Sequence, residues 1–472
     1  MLPLDFYMFR KSLSTGIVPN EWKIANVSAI FKKGNKSEPG NFRPISLTCV
    51  LCKLCESIIK DNIMLHLEMH NMISDCQHGF RNNRSCITQL LQVMEDFTYL
   101  MDNKKNIDVI YLDFSKAFDS VPHQRLYVKL KAYGIAGDVF TWIRSYLSNR
   151  RQRVVVGNDV SDLEYVGSGV PQGSVLGPVL FLLYINDIPD CVDSQCRLFA
   201  DDTKIYSTDN NWQYLQNDLF ALFRWSLEWQ LPFNISKCKT LHIGRTNQAH
   251  NYHMNDEECS VLSVTESEKD LGVVFDGNLN FDIHINGCIN RAIKMIGMIF
   301  RSFEYMNVPV FITLYTSLVR PILEYGNCIW SPMFKRQSVA LENVQRRATR
   351  LLSMLKYHNM SYEERLKYLN LPSLKYRRKR GDLIQLYKLV HSIDNIECGK
   401  FFNYSHVKYT RGDKFKILIK SSSTSVRRNS FIFRTVATWN NLKFETKNCN
   451  SMNGFKNAVD GELGALKYAY DE

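Results

Sequence analysis

The sequence predicts an α+β fold, and three observations carry that expectation. Short runs of β-prone residues end on acids or turn residues, as at 107–113 and 197–206. Between such runs lie segments with apolar residues at helical spacing, as at 212–229. From about residue 280 the pattern becomes mostly helical. The chain has 472 residues, enough for two or three domains. Its 45% hydrophobic and 12% aromatic content suits packed cores and excludes a disordered chain.

Net charge is +12, which favours an anionic partner, most simply nucleic acid. The 13 cysteines show no pairing rhythm and read as reduced thiols. Cys49, Cys52 and Cys55 have metal-like spacing but lie in an apolar helical segment, so buried thiols are expected there. The apolar stretch Val175–Ile185 contains Gly177 and Pro178 and is shorter than the ~20 residues of a membrane span. No membrane association is expected. The N-terminus lacks the apolar core of a signal peptide.

In chain order, "WKIANVSAIFKKGNK" alternates Val27, Ala29 and Phe31 before Lys32 and Lys33, a strand feeding a basic turn. In "NFRPISL", Pro44 biases Arg43 toward extended geometry. A helix is expected over Leu51–Leu67. "QHGFRNNRS" presents Arg81 and Arg84 on a loop with Gly79. Guanidinium forks match phosphate oxygens, so these two are candidates for nucleic-acid contact; an ordinary basic surface loop is the alternative. "IDVIYLDFSKAFDSVP" opens with a near-continuous apolar run, Ile107–Leu112, as in a strand covered on both faces. It ends on Asp113, and an acid there is costly unless paired or metal-bound. Asp119 falls on a following turn or helix start.

A helix within 134–150 leads to a strand in "RQRVVVGN". "GVPQGSVLGPVLFLLYINDIP" then bends at Gly169, Pro171 and Gly173 before a buried helix. The bend places Gln172 at a helix start, where a nucleotide could sit; a plain loop-to-helix junction is the alternative. "RLFADDTKIY" reads as strand, turn, strand with Asp201 and Asp202 at the turn. Adjacent carboxylates repel, and a cation between them relieves this; oxygen ligands on a rigid turn suit magnesium. A solvated surface turn is the alternative. Leu215, Leu219, Leu222, Trp225 and Trp229 mark a helix. "FNISKCKTLHIG" is a turn into a strand with Lys237 and Lys239 beside it, and "KDLGVVFDGNL" another short strand and turn.

Beyond 280, three apolar stripes are expected to be buried. They are Ile289, Ile293, Ile296, Phe300 and Phe303; then Phe311, Leu314, Tyr315 and Leu318; then Leu341, Val344, Ala348, Leu351, Leu352 and Leu355. Arg346, Arg347 and Arg350 lie opposite the third. Residues 335–385 hold 13 Lys and Arg against 4 Asp and Glu. Such a face suits the nucleic-acid backbone, although a basic face can also be solvated surface. "KYRRKR", 375–380, has the composition of a nuclear import patch. Past 400, short strand-like pieces alternate with polar loops.

Asp113, Asp201 and Asp202 end strands or turns far apart in sequence, so only a fold gathers them. Two-metal phosphoryl transfer needs such a cluster. In order and spacing, "WKIANVSAIFKKG", "NFRPISL", "QHGFRNNRS", "LDFSKAFDSVPH", "GVPQGSVLGPVLFLLYINDI", "FADD", "FNISKCK" and "KDLGVVFD" resemble the reverse transcriptase of jockey-type non-LTR (LINE) retrotransposons. The resemblance covers nearly the whole chain. It implies a right-hand polymerase fold: fingers over 1–106, a palm with an antiparallel sheet over 107–279, a helical thumb over 280–370 and a basic region over 371–472.

The resemblance further implies an RNA-directed DNA polymerase that adds dNTPs to a primer 3′-hydroxyl, with an RNA template, a DNA primer and two Mg2+ ions. Asp113 and Asp201 would be the main metal ligands, with Asp202 assisting. Phe118 would pack under the incoming sugar and exclude a 2′-hydroxyl. Gln172, with Gly173 in the "PQG" bend, would touch the nucleotide. Arg43, with Lys32 or Lys33, would hold its triphosphate. Lys237 would protonate the leaving pyrophosphate, unless it is a plain surface lysine. Complete elements of this kind carry an upstream endonuclease. Here the chain is expected to start inside the fingers, without a downstream zinc knuckle, so an endonuclease would be supplied elsewhere. A nuclear site of action, after a cytoplasmic ribonucleoprotein stage, is the corresponding expectation. The alternatives are a catalytically idle nucleic-acid-binding remnant and an RNA-dependent RNA polymerase; Phe118 weighs against the latter.

Overall fold

A computed structural model describes residues 3–207, 212–255, 260–303, 305–352, 360–405 and 413–471. Its first sheet pairs β1 (Ile24–Phe31) antiparallel with β2 (Phe42–Leu47). The central strand of the second sheet, β3 (Ile107–Leu112), follows in sequence. β4 (Arg150–Val156) returns to the first sheet parallel to β1, and β5 (Asp159–Val160) and β6 (Glu164–Val166) fold back on it. The second sheet adds β7 (Gln195–Phe199), β8 (Asp202–Tyr206), β9 (Lys239–Ile243) and β10 (Ser263–Thr265). Its order is β10-β9-β3-β8-β7. β11 (Ser267–Asp270) and β12 (Val273–Asp276) form a separate antiparallel hairpin.

β3 is covered on both faces, as its near-continuous apolar run predicts. Ile107 and Val109 enter one core; Ile110 and Leu112, on the other face, enter a second. The second core joins the sheet to the helices Val50–Met69, His123–Ala132, Gly137–Leu147 and Gly177–Ile185. Cys52 and Cys55 are buried in it and Cys49 is half-buried. The first core is continuous from Leu90 to Val459 and takes in the helices after 280 and the C-terminal segment together.

Three expectations are corrected here. The helix Asp282–Ser302 buries Ile285, Cys288, Ala292, Ile296 and Ile299. The expected stripe is therefore rotated: Ile289, Ile293 and Phe300 sit at its margin and Phe303 is exposed. The helix carries apolar residues over more than half its girth, and the neighbouring elements choose the buried arc. Leu318 and Leu351 are likewise exposed, whereas Val319 and Leu352 are buried; Leu355 lies outside the described residues. The tail is mostly helical, with helices at Phe431–Asn441 and Met452–Glu462. Phe431, Ile432, Val436 and Trp439, all buried, have the helical spacing that signals it. Among the described residues no helix is long and apolar enough to cross a membrane.

Candidate active site

The register of β3 against β8 pairs Leu112 with Thr203, so the next step brings Asp113 beside Asp202. β7 and β8 form a hairpin whose last ladder pair is Phe199 with Asp202, leaving Ala200 and Asp201 as a two-residue turn. Ala200 takes φ +54°, the left-handed region that a two-residue turn demands of a residue there. The three acids thus occupy adjoining strand ends on one sheet, the placement that their separate positions in sequence required.

Their electrostatics report the crowding. Burial, then the charge of Asp201 and that of Asp270, push the Asp202 carboxyl up to about 6. Burial and the Asp113 charge raise Asp201, while Arg43 and Lys32 oppose the rise. The two cations therefore bear on the acids from the outer end of the β1–β2 hairpin, where Arg43 pairs with Ile30 and both side chains are exposed. Lys33 lines the same cleft as Asp113, Asp202 and Lys237, a cavity of about 420 Å³.

Lys237 Nζ donates to Asp113 Oδ2 at 2.9 Å. Its short helical turn, Ile235–Lys237, is held there because the Asn234 amide donates to the Asp113 carbonyl at 2.7 Å. The side chain remains 54% exposed, so it can swing toward a bound anion. The donor set fits a hard divalent cation: oxygen only, mutually repelling, and tied to rigid strand ends. Among the described residues no three His, Cys, Asp or Glu side chains are already drawn together as a metal cage, and Lys237 takes one Asp113 oxygen.

Phe118 follows the acid strand on the short helix Ala117–Ser120. Its ring stacks on Phe181 at 4.5 Å between centroids and meets Phe80 edge-on at 6.5 Å. The "PQG" bend is fastened to both neighbours. The Ser46 amide donates to the Gln172 carbonyl at 2.7 Å, and the Val170 amide to the Phe118 carbonyl at 2.7 Å. Gly173 has φ +111°, and a Cβ there would meet the Ser46 oxygen at 2.6 Å, so the close approach requires glycine. Gln172 lines a separate small cavity beside Asp119, not the acid cleft.

Two residues here escaped sequence reading. Buried Glu56 accepts from the Val175 and Leu176 amides at 2.8 and 2.9 Å and so anchors the segment after the bend. Buried Lys204 pairs with Asp270, tying the acid hairpin to β11. An acid inside an apolar helix, and a lysine inside a β-prone run, were the available signals.

The expected phosphate contacts of Arg81 and Arg84 are corrected. Their side chains are only 10% and 5% exposed. Arg81 donates to the Ser74 carbonyl at 2.9 Å, and Arg84 to the Asp75 carbonyl and carboxylate at 2.5 Å. On the helix Lys335–Arg350, Arg347 and Arg350 are exposed, whereas Arg346 is half-buried over the rings of Tyr362 and Tyr470 at 5.0 and 5.2 Å. The "KYRRKR" run is built into the helix Leu374–Val390. Arg377 pairs with Glu324, Arg380 with Asp460 and Lys375 with Asp471, while buried Arg378 donates to Ser338. Those four charges hold the C-terminal segment and do not stand free as an import patch.

A sheet that is antiparallel but for its edge strand β10, tipped by three acids, faced by a basic hairpin and backed by a helical core, is the palm of a right-hand polymerase. Residues 30–298 match the family described as reverse transcriptase (RNA-dependent DNA polymerase), more than half of the chain, and the chain belongs to that family. It is 28% identical over 371 residues to the probable RNA-directed DNA polymerase from transposon BS of Drosophila melanogaster, covering 74% of this chain and 40% of that protein. With the corresponding protein of the X-element, also of Drosophila melanogaster, identity is 29% over 352 residues, 71% of this chain and 38% of that protein. With that of mobile element jockey from the same fly it is 26% over 363 residues, 73% and 39%. The chain thus spans about two fifths of the length of the curated relatives it matches. A solved telomerase from Candida albicans aligns with 78% of this chain and 70% of its own at 11% identity and TM-score 0.41.

Proposed function

We propose that this protein is an RNA-directed DNA polymerase of a jockey-type mobile element, adding dNTPs to a primer 3′-hydroxyl on an RNA template. The observation that carries the reading is the meeting of Asp113 with the Asp201–Asp202 turn on adjoining strands, faced by Arg43 and Lys32. Asp113, Asp201 and Asp202 would hold two Mg2+ ions, which would acidify the primer hydroxyl and neutralise the leaving pyrophosphate. The chain's own residues supply the remainder. Arg43 and the Lys32–Lys33 pair orient the triphosphate, so that the 3′-oxygen approaches the α-phosphorus in line with the bond to the departing oxygen. As that bond breaks, Lys237 Nζ, freed from Asp113, gives its proton to the pyrophosphate. Gln172 and Gly173, in the bend fastened to Phe118, would approach the nucleotide from the neighbouring cavity beside Asp119.

In this reading residues 1–106 form the fingers, whose sheet is completed by β4–β6 at 150–166, the remainder of 107–279 the palm and 280–370 the thumb; 371–472 shares one hydrophobic core with both thumb and palm. Insertion into chromosomal DNA would place the work in the nucleus, after a cytoplasmic ribonucleoprotein stage. The direct test is primer extension by the purified chain on an RNA template with dNTPs and magnesium. Extension is expected. Failure to extend, by protein that still binds template–primer, would establish the idle remnant instead.

The exposed thumb arginines give an independent expectation. Arg347→Gln with Arg350→Gln should weaken duplex binding and flatten the plot of log affinity against log salt by roughly 2, as two released phosphate contacts require. An unaltered slope would reassign that face to solvent. Arg346→Gln should chiefly lower the melting temperature, since its guanidinium packs on two tyrosine rings.

A further inference from the structure

The loop that supplies Arg81 and Arg84 has a duty that its basic residues conceal. Residues 76–79 add to the free edge of β7. The Leu198 amide donates to the Cys76 carbonyl and the His78 amide to the Leu198 carbonyl, each at 2.9 Å. From that position the Gln77 side chain, fully buried, reaches the acid turn. Its Oε1 accepts from the Gly79 amide at 2.7 Å and from the Ala200 amide at 3.1 Å. Ala200 lies inside the two-residue turn, where the β7–β8 ladder offers its amide no partner. It also holds φ +54°, a conformation that an L residue adopts reluctantly.

The contact is close by construction. A Cβ on Gly79 would fall 2.4 Å from the Ala200 nitrogen, so only glycine lets the loop lie against the turn. The loop itself is braced. His78 places its ring nitrogens 2.8 and 2.9 Å from Thr88 Oγ1 and Gln92 Oε1 on the helix Cys86–Asp102, and Arg84 also reaches the Gln77 carbonyl at 3.3 Å. The inward-turned arginines therefore stiffen a bracket under the catalytic turn.

We propose that Gln77 is a positioning residue for catalysis: its side-chain carbonyl fixes the Ala200 amide and thereby the direction in which Asp201 and Asp202 present their carboxylates. The inference rests on the polymerase reading for its consequence. Its geometric content, a bracket that sets the acids for a divalent cation, can be read without catalysis.

The decisive variant is Gln77→Met, which keeps the volume and removes the acceptor. Mn2+ titration of the full chain, followed by electron paramagnetic resonance, is expected to show an affinity about tenfold weaker than that of the unmutated protein, the loss of one buried hydrogen bond. Template–primer affinity should stay unchanged, and primer extension should lose kcat with little change in KM for dNTP. In an Ala200→Gly background, where the left-handed turn is intrinsically favoured, the same substitution should cost markedly less; a purely structural role for Gln77 predicts equal losses in both backgrounds. Mn2+ affinity within twofold of the unmutated protein, or equal losses in both backgrounds, overturns the proposal. Should Gln77→Met not fold, hydrogen exchange on the unmutated protein decides. The Ala200 amide is expected to be protected like that of Leu198, and exchange as fast as in an open loop overturns the bracket. If the unmutated protein fails to extend primers, the polymerase reading falls, while the Mn2+ and exchange measurements still judge Gln77.

Discussion

Asp201→Asn will abolish primer extension, by roughly a thousandfold or more, while leaving the protein folded and able to bind template–primer. The substitution keeps the shape of the side chain and removes the charge on which a divalent cation would sit. Charge stabilisation of the transition state is the largest contribution in this kind of chemistry, and loss of a single well-placed group can cost about 4 kcal/mol, a thousandfold in rate. The fold should not suffer. Burial and the Asp113 charge already disfavour an ionised Asp201, so a neutral residue there relieves repulsion. The melting temperature without divalent metal is therefore expected to hold or rise. A variant that extends primers at near the normal rate would remove Asp201 from the chemistry; one that is inactive because it has unfolded would show a lowered melting temperature.

The second large effect concerns the sugar. Phe118→Ala should admit ribonucleotides, lowering the kcat/KM preference for dNTPs over rNTPs by about tenfold or more, the range that one steric contact in a shaped pocket can supply. The Phe118 ring stacks on Phe181 at 4.5 Å, and in the proposed role that contact would brace it against a 2′-hydroxyl. Phe118→Val should act in the same direction with a smaller loss of packing. Steady-state incorporation of matched dNTP and rNTP on one template measures the ratio. Unchanged selectivity would assign Phe118 to core packing alone.

The site was legible in unequal parts. Ile107–Leu112 announced a strand buried on both faces because no polar residue but Asp108 interrupts it, and that acid is satisfied by His242, Asn247 and Tyr252. The adjacent acids at 201–202 announced a turn because β-prone residues flank them on both sides. The glycines of the "PQG" bend announced close approach, and Gly173 meets Ser46 as such a residue must. Each of these signals is local: the residue types and their spacing already contain the reason for the structure.

Arg81 and Arg84 show where that logic stops. A guanidinium fork serves a phosphate and a backbone carbonyl equally well, and only the folded loop reveals which lies within reach. Gln77 gave no signal, because a buried glutamine is recognisable only by the amide that it meets, and Ala200 lies 123 residues away. The helix Asp282–Ser302 has apolar residues enough for two stripes, so its partners selected the buried one.

The sequence by itself determined the α+β character, the buried strand that ends on Asp113 and the turn that carries Asp201 and Asp202, because backbone preference and hydrophobic periodicity act over a few residues. Tertiary structure alone decided which cations face the cleft, which arginines turn inward and what holds the acid turn in place. Those are contacts between distant segments, and their energies depend on distances that no local pattern records.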